Sequence, residues 1–111
     1  MESQDLTPYF KALGDPTRLR VFDMLMEGVQ CNCEISDRLG LSLSLISHHT
    51  RILLEAGLIT RERDPNDARW VYYSVDEEAV VALTGEIVHL LDPNRIQPRQ
   101  PSCGPRQCGS S

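Results

Sequence analysis

The residues best equipped to do chemistry are four cysteines in two pairs: Cys31 and Cys33, separated by one residue, and Cys103 and Cys108, separated by four. Thiolates are soft ligands that select thiophilic ions. Two rarely close a selective site, so the expectation is that Cys31 and Cys33 combine with Cys103, Cys108 or both, from the same chain or from a second subunit. Three sulfurs suit pyramidal arsenic(III) or antimony(III), four suit tetrahedral cadmium or zinc, and lead accepts three. The competing chemistry is redox, in which the same thiols form reversible disulfides. Cys33 alone could be a small buried hydrophobe. That reading leaves unexplained two cysteines in a stretch that has no core to serve.

The element carrying the first pair decides what ligation would do. Cys31-Asn32-Cys33-Glu34 leads into a helix bearing Ile35 and Leu39 and ended by Gly40, with Asn32 as the expected cap and Glu34 suited to the positive helix start. Positions i and i+2 of a helix point about 200° apart, so two thiolates there converge on one ion only if the first turn unwinds. The positive helix end is expected to lower the cysteine pKa.

The neighbouring elements follow from punctuation and periodicity. Thr7-Pro8 opens a short first helix with Tyr9, Phe10 and Leu13, and Asp15-Pro16 opens a second with Leu19, Val21, Phe22 and Met26. Ser42 or Ser44 caps a fourth helix whose apolar face is Ile46, Thr50, Leu53 and Gly57. After Gly57 the period becomes two: residues 58–63 and 69–75 flank Asp64-Pro65-Asn66-Asp67 and predict a two-stranded hairpin, with Trp70, Tyr72 and Tyr73 as core and strand residues. Asp76 caps a last helix with Val80, Leu83, Ile87 and Leu91 on one stripe, stopped before Pro93. The fold class is mostly α with a β-hairpin wing, a winged helix-turn-helix over residues 1–92, and residues 93–111 read as a flexible cysteine-containing tail rich in proline.

On the fourth helix Ser44, Ser47, His48, Arg51 and Glu55 recur at spacings of three and four, opposite the apolar stripe. Hydroxyls, an imidazole and a guanidinium reach base edges and phosphates in a major groove, although a polar face is more often only solvated. From Arg38 to Arg69 five arginines meet four acids, a balance of +1 that leaves −6 to the rest of a chain whose net charge is −5. The segment richest in positive charge is thus the one expected to contact DNA: Ser44, Ser47, His48, His49 and Arg51 on the helix, and Arg61, Arg63 and Arg69 in the hairpin.

A chain of 111 residues, 41% hydrophobic, holds one modest core and excludes most multidomain enzymes. The acidic total excludes a general phosphate-backbone binder. Met1 to Phe10 lacks the pattern of a secretory signal and no apolar run reaches the roughly 18 residues of a membrane span. A soluble cytoplasmic protein is the expectation, in which cysteines serve as thiols or ligands. A small thiol enzyme or metal carrier is the reading from another class. No cysteine lies near a candidate base at a strand-to-helix turn, which speaks against it.

The runs Leu13-Gly14-Asp15-Pro16-Thr17-Arg18-Leu19, Leu41-Ser42 to Ile46-Ser47-His48-His49, and Leu53-Leu54-Glu55-Ala56-Gly57-Leu58-Ile59 resemble the ArsR/SmtB family of metal-responsive bacterial repressors, from about Leu6 to Leu91. The resemblance implies a homodimer joined through its first and last helices, which binds a palindromic double-stranded operator and leaves it when a metal ion binds. Cys31 and Cys33 sit where the arsenic- and cadmium-sensing branches place a Cys-x-Cys. The arsenic prototype has a further cysteine where this chain has Ser36. Glu86 and His89 resemble part of that family's zinc site on the last helix, with a solvated helix face as the plainer reading. Leu43, Ser44 and Leu45 stand where the family usually has glutamine, proline and a small polar residue, so the resemblance carries over operator binding rather than an operator sequence.

Overall fold

The computed structural model describes residues 5–98. Two short helices come first: α1, Thr7–Leu13, and α2, Pro16–Met26. The expected boundary of α1 at Thr7 moves back by one residue. Leu6 is the boundary residue, and the Asp5 carboxylate, not Thr7, accepts a hydrogen bond from the Thr7 N–H at 2.9 Å. At α2 the expected pair holds. Asp15 is extended and accepts from Thr17 N–H (2.9 Å) and Arg18 N–H (3.1 Å), while Pro16 occupies a position whose missing N–H costs nothing.

The strand β1, Gln30–Cys31, runs directly into α3, Asn32–Leu39. Cys31 itself, rather than Asn32, is the boundary residue of α3, and Glu34 Oε1 accepts from the Cys31 N–H at 2.8 Å. Gly40 closes α3 at φ 65°, a left-handed conformation that favours glycine, and its N–H returns to Ser36 O. The Ser36 hydroxyl donates to Leu41 O, tying the turn to the helix it leaves. Ser42 then caps α4, Leu43–Glu55, accepting from Leu45 N–H at 3.1 Å.

The expected two-stranded hairpin is a three-stranded antiparallel sheet. β2, Ile59–Arg63, and β3, Val71–Val75, pair as expected, and β1 adds to the other side of β3, giving the order β1-β3-β2. Cys31 lies opposite Tyr72 across one side of β3, and Glu62 lies opposite it across the other. Two residues are too few to show a period of two, so β1 leaves no pattern in the sequence. Trp70 is a second correction: it belongs to the wing turn and is 41% exposed, whereas Tyr73 is buried.

Val21 and Leu25 of α2, Ile35 of α3, Ile46 and Leu53 of α4, and Leu58 beneath the wing form the centre of the core. With Ile46, Thr50 and Leu53 turned inward, the opposite face of α4 is forced outward. The last helix, α5, spans Glu77–Leu90 and rests on this core through Leu83, with Val80 and Ile87 half-buried. It exposes Val81 and Val88, and Leu91, expected on the inner stripe, lies just past the end of the helix and is exposed as well; all three are more than 60% accessible. A single 3-10 turn, Pro93–Arg95, follows, and Arg95 Nη1 donates to the carbonyls of His89 and Leu90, both at 2.9 Å. Cys103 and Cys108 lie outside the described residues.

Candidate nucleic-acid interface and thiol site

The outer face of α4 and the wing enclose a cleft of about 320 Å³, with Leu43, Ser44 and Ser47 on the helix side and Arg61, Arg63 and Arg69 on the wing side. Ser44, Ser47, His48 and Arg51 are all exposed. The helix is held against the wing from below: Thr50 Oγ1 lies 2.8 Å from Ile46 O and 3.2 Å from the Tyr73 hydroxyl, inside the core.

His49 takes a different direction from His48. Its Nδ1 lies 3.3 Å from Arg18 Nη1 and 3.9 Å from Asp15 Oδ2, so it packs on the start of α2 instead of facing the cleft. Because Arg18 can only donate, Nδ1 is the acceptor and the proton of the neutral ring sits on Nε2. Burial pushes the His49 pKa down, and the Arg18 and His48 charges act in the same direction against the attraction of Asp15. Arg18 itself is fixed by Nε donating to Ala12 O at 2.6 Å. The Asp15 carboxyl is held below its usual range by the Arg18 N–H bond first, then by the Arg18 charge and the Thr17 N–H.

The three wing arginines are not equivalent. Arg69 forks onto Asp67 through Nε (3.0 Å) and Nη2 (2.8 Å), and Asp67 also accepts the Arg69 N–H. This pairing holds the Asp67 carboxyl below and the Arg69 guanidinium above their ordinary pKa ranges. Arg63 Nη1 donates to Ala68 O across the turn at 2.9 Å. Arg61 is exposed and makes no ion pair among the described residues.

At the thiol site, Cys31 is buried and Cys33 half-buried, and both are free. The expected lowering of the Cys31 pKa is reversed. Burial raises it, the Glu34 carboxylate beside it disfavours a second negative charge, and the backbone bonds at the helix start do not offset these. Among the described residues no three His, Cys, Asp or Glu side chains gather as a metal-holding group. Two soft donors at the strand-to-helix junction nonetheless match the chemistry of a thiophilic ion. Glu86 and His89 lie on α5, and among the described residues no third ligand gathers beside them.

One connection has no sequence signal at all. Asn32, between the two cysteines, accepts from the Cys33 N–H at 3.0 Å and donates from Nδ2 to Arg69 O in the wing at 3.2 Å. Its Oδ1 also lies 3.5 Å from Val71 N, at the start of β3. A residue picked out as a helix cap is thus the link between the thiol pair and the wing. Its wing contacts lie 37 and 39 residues away, beyond any local pattern.

Two helices joined across residues 40–42, with a polar outer face on the second and an arginine-bearing hairpin beside it, define a winged helix-turn-helix DNA-binding regulator. Residues 15–61 match the family described as bacterial regulatory protein, arsR family. The arsenical resistance operon repressor of Bacillus subtilis is 36% identical over 69% of this chain and 71% of its own length. A cadmium resistance transcriptional regulatory protein CadC homolog of Staphylococcus aureus is 35% identical over 71% of this chain and 64% of its own. The crystal structure of a possible transcriptional regulator for arsenical resistance superposes with a TM-score of 0.62 at 32% identity, over 79% of this chain and 84% of that one. The chain belongs to the arsR family of bacterial regulatory proteins, whose members here are transcriptional regulators and not enzymes. No helix among the described residues is long and apolar enough to cross a membrane.

Proposed function

We propose that this protein is a cytoplasmic homodimeric repressor that holds double-stranded operator DNA through α4 and the wing and releases it when Cys31 and Cys33 ligate a thiophilic ion. Arsenic(III) or antimony(III) is the inducer in this reading, with cadmium, lead or zinc as the alternative. Ser44, Ser47, His48 and Arg51 meet the groove, and Arg61 is the principal phosphate contact of the wing. His49 acts behind them by seating α4 on α2. The remaining sulfur ligands come from Cys103, Cys108 or both, and residues 93–111 serve the domain of residues 1–92 in this way.

The carrying observation is Asn32, shared between the Cys33 N–H and the wing carbonyl of Arg69. Cys31 is the extended boundary residue and Cys33 lies in the first turn of α3, so an ion held by both bridges the strand-to-helix junction, with Asn32 between them. In this reading the junction shifts on ligation, Asn32 gives up one of its two bonds, and the wing loses that tie beside Arg69 and Val71. Dimerisation rests on the exposed apolar side chains of the last and first helices, Val81, Val88 and Leu91 at the one and Phe10 on the other, which a second subunit would cover. A two-fold pair would present two recognition helices about 34 Å apart, one DNA turn.

The test is fluorescence anisotropy of the full chain on a labelled duplex taken from upstream of its own gene. Arsenite is expected to weaken binding roughly 5- to 150-fold, a coupling of about 1 to 3 kcal/mol. Cys31→Ser and Cys33→Ser keep DNA binding and lose the response. Asn32→Ala keeps ion binding but loses most of the release. A Cys31→Ser protein that dissociates at the same arsenite concentration as the parent removes Cys31 and Cys33 as the sensor and favours the redox reading of the thiols. A monomer at micromolar concentration in sedimentation overturns the dimer.

A further inference from the structure

The first turn of α4 exposes two leucines, Leu43 and Leu45, and of the two it is Leu43 that lines the cleft. Leu43 is 49% exposed, although Ile46, one turn on, is completely buried. It lies on the rim of the cleft between helix and wing, among Ser44, Ser47, Arg61 and Arg63. A leucine half in water between hydroxyls and guanidiniums is not contributing to the core, and it stands at the N-terminal end of the helix, where groove-reading helices contact base edges.

We infer that Leu43 is a specificity-determining residue that reads the C5-methyl group of a thymine in the major groove of each operator half-site. The inference deepens the operator-binding reading and rests on it. Major-groove edges offer hydrogen-bond donors and acceptors at every base pair, and thymine adds the one apolar group among them. Leu43 over that methyl removes apolar surface of both partners from water. Over the cytosine amino group or the guanine carbonyl, the same side chain strips water and returns no hydrogen bond, which disfavours those bases. Ser44 and Ser47 on either side hydrogen-bond with several bases and discriminate weakly. Arg61 and Arg63 across the cleft attract phosphates whatever the sequence. Leu43 therefore supplies an apolar selection that its polar neighbours cannot.

The test uses the full chain and a duplex that it enriches from a random-sequence library, made once with thymidine and once with deoxyuridine at each half-site thymine position. That exchange removes only methyl groups. The parent protein is expected to bind the uracil duplex about fourfold more weakly for each methyl read, equivalent to about 0.8 kcal/mol per buried carbon. Two symmetric half-sites give roughly fifteenfold. Leu43→Ala is expected to bind both duplexes nearly equally, and because the side chain is half exposed the variant keeps its fold. Equal binding of both duplexes by the parent, an enriched half-site without a fixed thymine, or a uracil penalty that persists in Leu43→Ala each overturns the role of Leu43 while leaving operator binding intact. Enrichment of no duplex at all overturns operator binding itself, and Leu43's role with it.

Discussion

The hydroxyls of Thr50 and Tyr73 meet 3.2 Å apart in the core, joining the middle of α4 to the central strand of the wing. Thr50 has one proton and its carbonyl partner, Ile46 O, is nearer at 2.8 Å, so Tyr73 is the donor between the two hydroxyls. Helix and wing, the two jaws of the cleft, are thereby set by a polar contact as well as by packing.

The two halves of that contact differ in cost. Tyr73→Phe removes the donor and leaves Thr50 bonded to Ile46, for a loss of about 0.5 to 1.5 kcal/mol. Thr50→Val strands the buried Tyr73 hydroxyl and is expected to lose about 1 to 3 kcal/mol. Urea unfolding of both variants measures the order, and a Tyr73→Phe protein less stable than Thr50→Val contradicts the assignment of donor and acceptor.

His49 makes stability depend on pH in a stated direction. Its folded pKa lies below the unfolded 6.5, so the unfolded chain takes up a proton that the folded one refuses. The contribution is complete above pH 6.5 and is lost as the pH falls through the folded pKa. His49→Gln, which still offers Arg18 an acceptor, should flatten the profile below pH 6.5. Thermal melts of parent and variant from pH 5 to 8 would show the two curves converging at low pH, and parallel curves would contradict the contribution.

Asp67 spends much of the charge of Arg69 inside the wing. Asp67→Ala should therefore raise DNA affinity and steepen the dependence of log affinity on log salt by about one unit, since one more arginine becomes available to phosphate. Arg61→Ala should make the slope shallower by a similar amount. An unchanged slope in Asp67→Ala would mean that Arg69 already leaves Asp67 when DNA binds.

The raised pKa of Cys31 separates candidate inducers by their proton balance. Arsenous acid and three thiols give three arsenic–sulfur bonds and three waters, with no net proton. A cadmium ion displaces about one proton from each protonated thiol. Release by cadmium should need less ion as pH rises from 6.5 to 7.5, by about tenfold for each thiol that ligates in protonated form. Release by arsenite should hardly change over the same range. Titration of DNA release at both pH values tests this, and a flat cadmium response would show that every ligating thiol, Cys31 included, is already ionised.

Features set by a few adjacent residues were legible in the sequence. Asp15-Pro16, Ser42 and Asp76 each start a helix because their side chains accept from the N–H groups just after them. The stripe Ile46, Thr50 and Leu53 revealed the inner face of α4, and with it the outer one. What stayed hidden depends on distant partners. Cys31 became a strand residue because β3 lies beside it, and that burial, absent from any local pattern, reversed the expected pKa direction. His49 follows His48 in sequence but finds Arg18 across a helix contact. The pairing of Arg69 with Asp67 joins residues only two apart, so it is the one hidden feature among these that is local in sequence.

β1 covers the middle of β3 at Tyr72 and Tyr73, so the long free edge of the wing is that of β2. Unpaired strand edges invite other chains to add to them, and charged side chains are a common defence. β2 carries Arg61, Glu62 and Arg63 in succession, all exposed. Arg61 and Arg63, which line the cleft between helix and wing, are thus also expected to guard the sheet against edge-to-edge aggregation, and a wing stripped of its charges is expected to trade the proposed DNA affinity for self-association.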